Sequence, residues 1–176
     1  MRKLSHEEIS QNRCKLETIN DAKKIPVVVL LNSIRSNYNV GSIFRTSDAV
    51  MIEKLYLCGF TPAPPKKEIL KTALGSTDSV KWEYRKNAIE VIADLKQQGY
   101  TIAALELTEN SILYSQIEEL KYPLCLVIGN EITGVSQEIL DQCDIALEIP
   151  QFGIKQSMNV AVAYGIAIYE FRKLFL

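Results

Sequence analysis

The sequence predicts an α/β fold, a six-stranded mostly parallel sheet with helices on both faces, and three observations carry that prediction. From Pro26 onward, six short β-rich runs alternate with helical patterns. The runs are apolar on both faces, which is how strands read when helices cover both sides of a parallel sheet. The 176 residues, 47% of them apolar, make one domain with a sizeable core on a scale of roughly 100–200 residues per domain.

Element by element, Ser5-His6-Glu7-Glu8 fits a capping box, with Ser as N-cap and Glu at the third helical position, opening a polar helix over about 5–24. Residues 1–25 are therefore expected to be a helical extension ahead of a domain over 26–176. Runs at 27–31, 54–58, 80–84, 101–105, 124–128 and 145–149 read as strands with helices between them. Pro62-Ala63-Pro64-Pro65 is a stiff loop. The last helix, about 157–175, carries Met158, Val160, Val162, Ile166, Ile168, Phe171 and Leu174 around nearly its whole circumference. Such a helix is buried on more than one side. The sheet covers one side, so a second subunit is expected on the other, in a two-fold homodimer.

Composition excludes several function classes. Twenty Lys+Arg against twenty-one Asp+Glu leave a formal charge of −1, so no global field holds a polyanion and any nucleic-acid contact must come from a local patch. No apolar run approaches the roughly 20 residues of a membrane helix. The polar start lacks the apolar centre of a secretory signal, so a cytoplasmic protein is expected. Cys14, Cys58, Cys125 and Cys143 are far apart, three of them in apolar surroundings, and read as reduced packing residues. His6 is the only histidine, which disfavours a histidine zinc site, a Ser-His-Asp triad and a Cys-His pair; no metal is expected.

Three loops after strand-like runs combine glycine with polar residues. In the first, Asn39 is placed to cap a helix in which Val40, Ile43 and Phe44 face the core; one reading of Arg45 is a pair with Asp48 at i+3. In the second, Gly129 and Gly134 allow close backbone approach to a ligand, and Ser136 is placed to cap the next helix. Its pattern is neither a G-x-G-x-x-G nor a P-loop, and Glu131 would repel phosphate. In the third, capping explains Ser157 at the mouth of the last helix, whereas Asn159, two residues inside it, needs a partner.

Together the loops resemble the TrmH/SpoU family of RNA ribose 2′-O-methyltransferases, in the SPOUT superfamily, over about residues 26–175. Asn-x-Gly-x-x-x-Arg is matched by Asn39, Gly41 and Arg45; Gly-Asn-Glu-x-x-Gly by Gly129, Asn130, Glu131 and Gly134; and Ile-Pro-x-x-Gly-x-x-x-Ser-x-Asn-Val by Ile149, Pro150, Gly153, Ser157, Asn159 and Val160. The three stand in the family's order and spacing. The resemblance implies a C-terminal trefoil knot, a dimer packed through the first motif's helix and the last helix, and S-adenosylmethionine held mainly by backbone near Leu105, Ile128, Gly129, Ile149 and Met158. It also implies that Arg45 activates the ribose hydroxyl. Because guanidinium stays protonated, Arg45 is read as a fixed cation that binds phosphate and stabilises the developing alkoxide. Asn39, Ser157 and Asn159 would position Arg45, phosphate and ribose, with Glu131 orienting Asn39 or Arg45.

RNA is the expected partner, tRNA ahead of ribosomal RNA because the chain is compact. Arg35, Lys66, Lys67 and Lys155 are expected to contact phosphate in a patch completed across the dimer, so binding should weaken steeply with salt. Two other readings stand beside this one. A nucleotide-binding α/β enzyme lacks its phosphate fingerprints. A catalytically silent RNA-binding dimer would have no need of the full Asn39, Arg45, Glu131, Ser157 and Asn159 set.

Overall fold

In the computed structural model, which describes residues 1–11, 13–19, 21–117 and 120–176, a single seven-stranded sheet organises the chain. In chain order the elements are α1 (His6–Gln11), β1 (Ile25–Asn32), α2 (Asn37–Val50), β2 (Ile52–Cys58), α3 (Lys67–Ala73), α4 (Ser76–Ser79), β3 (Trp82–Arg85) and α5 (Ala88–Gln97). There follow β4 (Thr101–Leu105), β5 (Ile112–Leu113), β6 (Leu124–Ile128), α6 (Gln137–Leu140), β7 (Ile145–Glu148) and α7 (Val160–Lys173). The strand order is β3-β2-β1-β6-β4-β7-β5, and every neighbouring pair is parallel.

Alternation along the strands sorts the core into two layers. Val27, Val29, Leu31, Leu124, Leu126 and Ile128 face α2, α3 and α7, packing with Ile43, Phe44, Ile69, Tyr164 and Ile168. Val28, Leu30, Cys125 and Val127 face the other way, onto Val91, Ile92 and Leu95 of α5. This two-sided burial explains why the strands look apolar throughout. Burial also pushes the Cys58 thiol up to about 12, which keeps it a neutral packing group. Cys14 is exposed and Cys143 half-buried. A buried hydrogen bond of 2.7 Å between the Ser47 and Tyr164 hydroxyls joins α2 to α7.

Several expectations need correction. The sheet has seven strands, not six; β5 spans two residues, too few to show a period. The opening helix ends at Gln11 rather than near 24, although its capping box forms, with Ser5 N–H donating to Glu8 at 2.7 Å and Glu8 N–H to Ser5 Oγ at 3.2 Å. No residue of α1 is buried, and a helix without packing does not propagate far. Residues 12 and 20 of the expected helix lie outside the described residues. Among the described residues, no helix is long and apolar enough to cross a membrane.

Helix starts also differ. Ser36, not Asn39, caps α2, accepting from Asn39 N–H at 3.3 Å. Asn159, not Ser157, caps α7, accepting from Ala161 N–H at 2.9 Å and Val162 N–H at 3.3 Å. Ser136 stands at the start of α6 without a side-chain capping bond. Asp48 accepts from Ser79 Oγ, so the expected Arg45–Asp48 pair does not form.

Candidate active site

The carboxyl ends of β1 and β6 are adjacent, since Leu31 pairs with Ile128, and the chain leaving each end supplies half of a polar cluster. Glu131 accepts from Arg35 N–H at 2.7 Å, Ser36 N–H at 3.0 Å and Asn39 Nδ2 at 2.9 Å. Asn39 Oδ1 in turn accepts from Asn159 Nδ2 at 3.0 Å, while Asn159 Oδ1 caps α7. A continuous line of hydrogen bonds thus joins the three motifs through residues 39, 131 and 159. Burial pushes the Glu131 carboxyl up, but the Arg35 N–H, the Asn39 amide, the Ser36 N–H and its own N–H outweigh that and hold it below the usual carboxylate range. Glu131 is therefore an anion that locks donors in place rather than a base awaiting a proton.

The turn that presents Glu131 is closed on itself. Asn130 and Gly134 exchange backbone hydrogen bonds at 3.0 and 2.9 Å, and Asn130 Oδ1 accepts from Ile132 N–H and Thr133 N–H at 2.9 and 3.1 Å. Asn130 Nδ2 donates to Ser33 O at 2.7 Å, tying the turn to the loop after β1. A Cβ on Gly129 would lie 2.2 Å from Gly134 C and 2.3 Å from Val135 N, so this glycine makes room for the turn's own backbone. The loop after β1 is pinned from below by Thr61, buried, which donates to Leu31 O at 3.1 Å and accepts from Ile34 N–H at 3.0 Å.

A groove of about 690 Å³ opens over this cluster, lined by Arg35, Ser36, Asn39, Glu131 and the segment Ser157 to Val160. Of the residues singled out from sequence, Asn39, Glu131, Ser157, Met158, Asn159 and Arg35 meet here. Ser157 lines the groove, and no side-chain hydrogen bond forms from it among the described residues. Arg45 is elsewhere: six residues along α2 from Asn39, it sits about 9 Å further down the axis and about 120° around it. It is exposed and has no ion pair or hydrogen bond among the described residues. The expectation that Asn39, Ser157 and Asn159 hold Arg45 is not met within one chain.

Leu105, Ile128, Gly129 and Ile149 stand at or just after the carboxyl ends of β4, β6 and β7, three adjacent strands registered through Ala104–Val127 and Leu105–Leu147. Lys66 and Lys67 are exposed at the start of α3, and Lys155 in the loop before α7. The motif glycine Gly41 explains where α3 sits: a Cβ there would lie 2.3 Å from Ile69 O, and Thr72 Oγ1 donates to Tyr38 O at 3.1 Å. Glycine at 41 lets the lysine-bearing helix lie against the first turns of α2.

Sequence reasoning missed Ser36, Thr61 and a role for Asn130. Ser36 is a good capping type three residues before Asn39, a signal that was present; Thr61 carries none, because its partners are 27 and 30 residues away.

A parallel α/β sheet with a polar cluster at the carboxyl ends of its central strands is the arrangement in which open α/β sheets bind their ligands. Residues 26–169 match the SpoU rRNA Methylase family, and the chain belongs to that family. It is 31% identical over 159 residues to a tRNA (guanosine(18)-2′-O)-methyltransferase of Aquifex aeolicus, covering 89% of this chain and 73% of the relative. The Escherichia coli K12 protein of the same name is 31% identical over 144 residues, 82% of this chain and 62% of the relative. Among solved structures, an AdoMet-bound rRNA methyltransferase from Sinorhizobium meliloti superposes with a TM-score of 0.81 at 29% identity, covering 90% of this chain and 60% of that one. The A. aeolicus TrmH/SpoU tRNA modifying enzyme gives 0.80 at 31%, covering 90% and 81%. The chain thus spans less than two thirds of the E. coli and S. meliloti proteins.

Proposed function

We propose that this chain is an S-adenosylmethionine-dependent RNA methyltransferase that methylates a ribose 2′-hydroxyl, with tRNA as substrate. The observation that carries the reading is the line of hydrogen bonds from Glu131 through Asn39 to Asn159, which gives the three family motifs one shared structure. Similarity to the A. aeolicus tRNA enzyme favours tRNA; similarity to the S. meliloti rRNA enzyme makes ribosomal RNA the second substrate class to test.

The residues present fit the cofactor. Half-buried Leu105 and Ile149 and buried Ile128 give apolar walls at three adjacent strand ends, Gly129 brings the backbone of the 129–135 turn up beside them, and Met158 lines the groove. When bound, S-adenosylmethionine supplies a strongly electrophilic methyl on a sulfonium that departs neutral. The chain's task is to align the ribose oxygen and stabilise it as its proton leaves. Asn39, Ser157 and Asn159 present polar groups to the ribose and its phosphate, and Glu131 fixes Asn39. Arg45 supplies a fixed positive charge to the phosphate and the developing alkoxide, the proton passing to phosphate or water.

Arg45 lies off its own chain's groove, so the reading needs a second copy. Val162, Ile166 and Tyr169, at i, i+4 and i+7 on α7, are 53%, 36% and 52% exposed and form an apolar stripe suited to a two-fold homodimer. Membership of the SpoU family is what favours a C-terminal trefoil knot. Residues 1–25 are an extension to a catalytic domain over 26–176, and the site of action is the cytoplasm. Arg35, Lys66, Lys67 and Lys155 form the RNA patch; none is in an ion pair among the described residues.

Transfer of labelled methyl to unmodified total tRNA, and separately to unmodified ribosomal RNA, tests the reading. Nuclease digestion and mass spectrometry should give a 2′-O-methylated nucleotide from the tRNA pool. Product from ribosomal RNA alone moves the substrate; no transfer and no calorimetric cofactor binding defeats the enzyme reading.

A further inference from the structure

We propose that Glu106 is a positioning residue for the methyl-transfer site, tying the end of β4 to the turn that carries Glu131; the inference rests on the function proposed above. Glu106 follows Leu105 directly and belongs to none of the three motifs. Its Oε2 accepts from Val135 N–H at 2.9 Å, and its Oε1 from Leu107 N–H at 3.0 Å. One carboxylate thereby joins two segments whose ends wall the cofactor region, around Leu105 and around Gly129.

The packing around this contact leaves little freedom. Gly134 has φ +66°, and a Cβ on it would lie 2.2 Å from Glu106 Oε2. On the other side of the same peptide, a Cβ on Gly129 would meet Gly134 C and Val135 N. The Gly134–Val135 peptide is therefore pressed between Gly129 and the Glu106 carboxylate, and both motif glycines are required by that stacking. The opposite rim of the turn is the one where Glu131 takes Arg35 N–H, Ser36 N–H and Asn39 Nδ2. Asn130 anchors the turn toward β1 through Ser33 O, and Glu106 anchors it toward β4. A turn held on one side only would pivot, and Glu131 would leave its donors.

Hydrogen exchange of the cofactor-free chain, wild type against Glu106→Ala, reads the tie without turnover. Peptides covering 129–136 and 35–39 should exchange about tenfold faster or more in the variant, as loss of one charge-assisted bond to a buried N–H allows. Glu106→Gln, which keeps one acceptor, should show a smaller increase. Unchanged exchange in 129–136, or loosening spread over the whole sheet, overturns the proposal. In methyl transfer, kcat/KM for the cofactor should fall about tenfold in Glu106→Ala, and the double variant Glu106→Ala/Glu131→Ala should lose no more than Glu131→Ala alone. Fully additive losses overturn it. If the wild-type chain methylates no RNA, the function reading fails while the exchange result still decides whether Glu106 holds the turn.

Discussion

The two ends of α2 carry one motif in two different settings. At its first turn, Asn39 is held from both sides, donating to Glu131 and accepting from Asn159, so its amide has a single orientation. Six residues on, Arg45 is exposed and has no partner among the described residues. The first end is built within one chain, its amide held by partners on two other segments. The second is an exposed charge on a long side chain. The motif therefore divides into a part held by hydrogen bonds within the chain and a part that is not, and the two should fail differently.

The sharpest way to separate them is Arg45→Ala. Removal of a charge that acts on the developing alkoxide should lower kcat by about 10²–10³, with cofactor affinity and melting temperature unchanged. Arg45→Lys should rescue poorly, since an ammonium cannot reproduce a bidentate fork. Steady-state methyl transfer together with calorimetry checks this; turnover near wild type on unmodified RNA would remove Arg45 from the chemistry. Because Arg45 lies off its own groove, a mixed dimer of an Arg45→Ala chain and an Asn39→Ala chain should recover part of the activity.

Glu131→Gln tests the preorganised end and should cost less. The amide offers one acceptor where the carboxylate serves three donors, and its own N–H₂ group faces one of them. A loss of about 10- to 100-fold in kcat/KM is expected, with faster exchange of the Arg35 and Ser36 amides. The faster amide exchange should not accompany Arg45→Ala.

Gly41→Ala, between the two ends, asks whether α2 also sets the RNA patch. The added methyl would lie 2.1 Å from Thr72 Oγ1 and 2.3 Å from Ile69 O, and the backbone contact cannot be relieved by a rotamer change. Overpacking of this kind costs about 1–3 kcal/mol and should push α3 outward with Lys66 and Lys67. The melting temperature should drop, and RNA affinity should weaken at low salt more than at high salt.

What was legible in the sequence follows from how local each cause is. The strands at 101–105 and 124–128 were readable to the residue because burial on both faces writes continuous apolar runs. The strand β5 was not, because two residues have no period. The site residues were recognisable by motif, but their division of labour was not. Ser36 and Asn39 are both good capping types, as are Ser157 and Asn159. In the first pair Asn39 is claimed by Glu131, 92 residues away, and Ser36 is left to cap; in the second, Asn159 does both, its oxygen capping α7 while its Nδ2 reaches Asn39, 120 residues away. Arg45's separation from Asn39, in contrast, needed only the helical repeat.

The smallest expected effect is the one that bears most directly on what Glu131 is. Its folded carboxyl sits below the usual carboxylate range, whereas in the unfolded chain it titrates within that range. A group depressed on folding contributes stability that is present in full above the unfolded value and is lost as pH falls through the folded one. Site order should therefore be flat through neutral pH and decline only in acid, below the range where exposed glutamates protonate. A carbon-13 titration of the Glu131 carboxyl should show its midpoint below the usual carboxylate range, and the Arg35 and Ser36 amide shifts should move with it. In Glu131→Gln those amide shifts should be insensitive to acid. An ordinary or raised midpoint would mean that the donors around Glu131 do not outweigh its burial, and the rigid end of α2 would be less rigid than its hydrogen bonds imply.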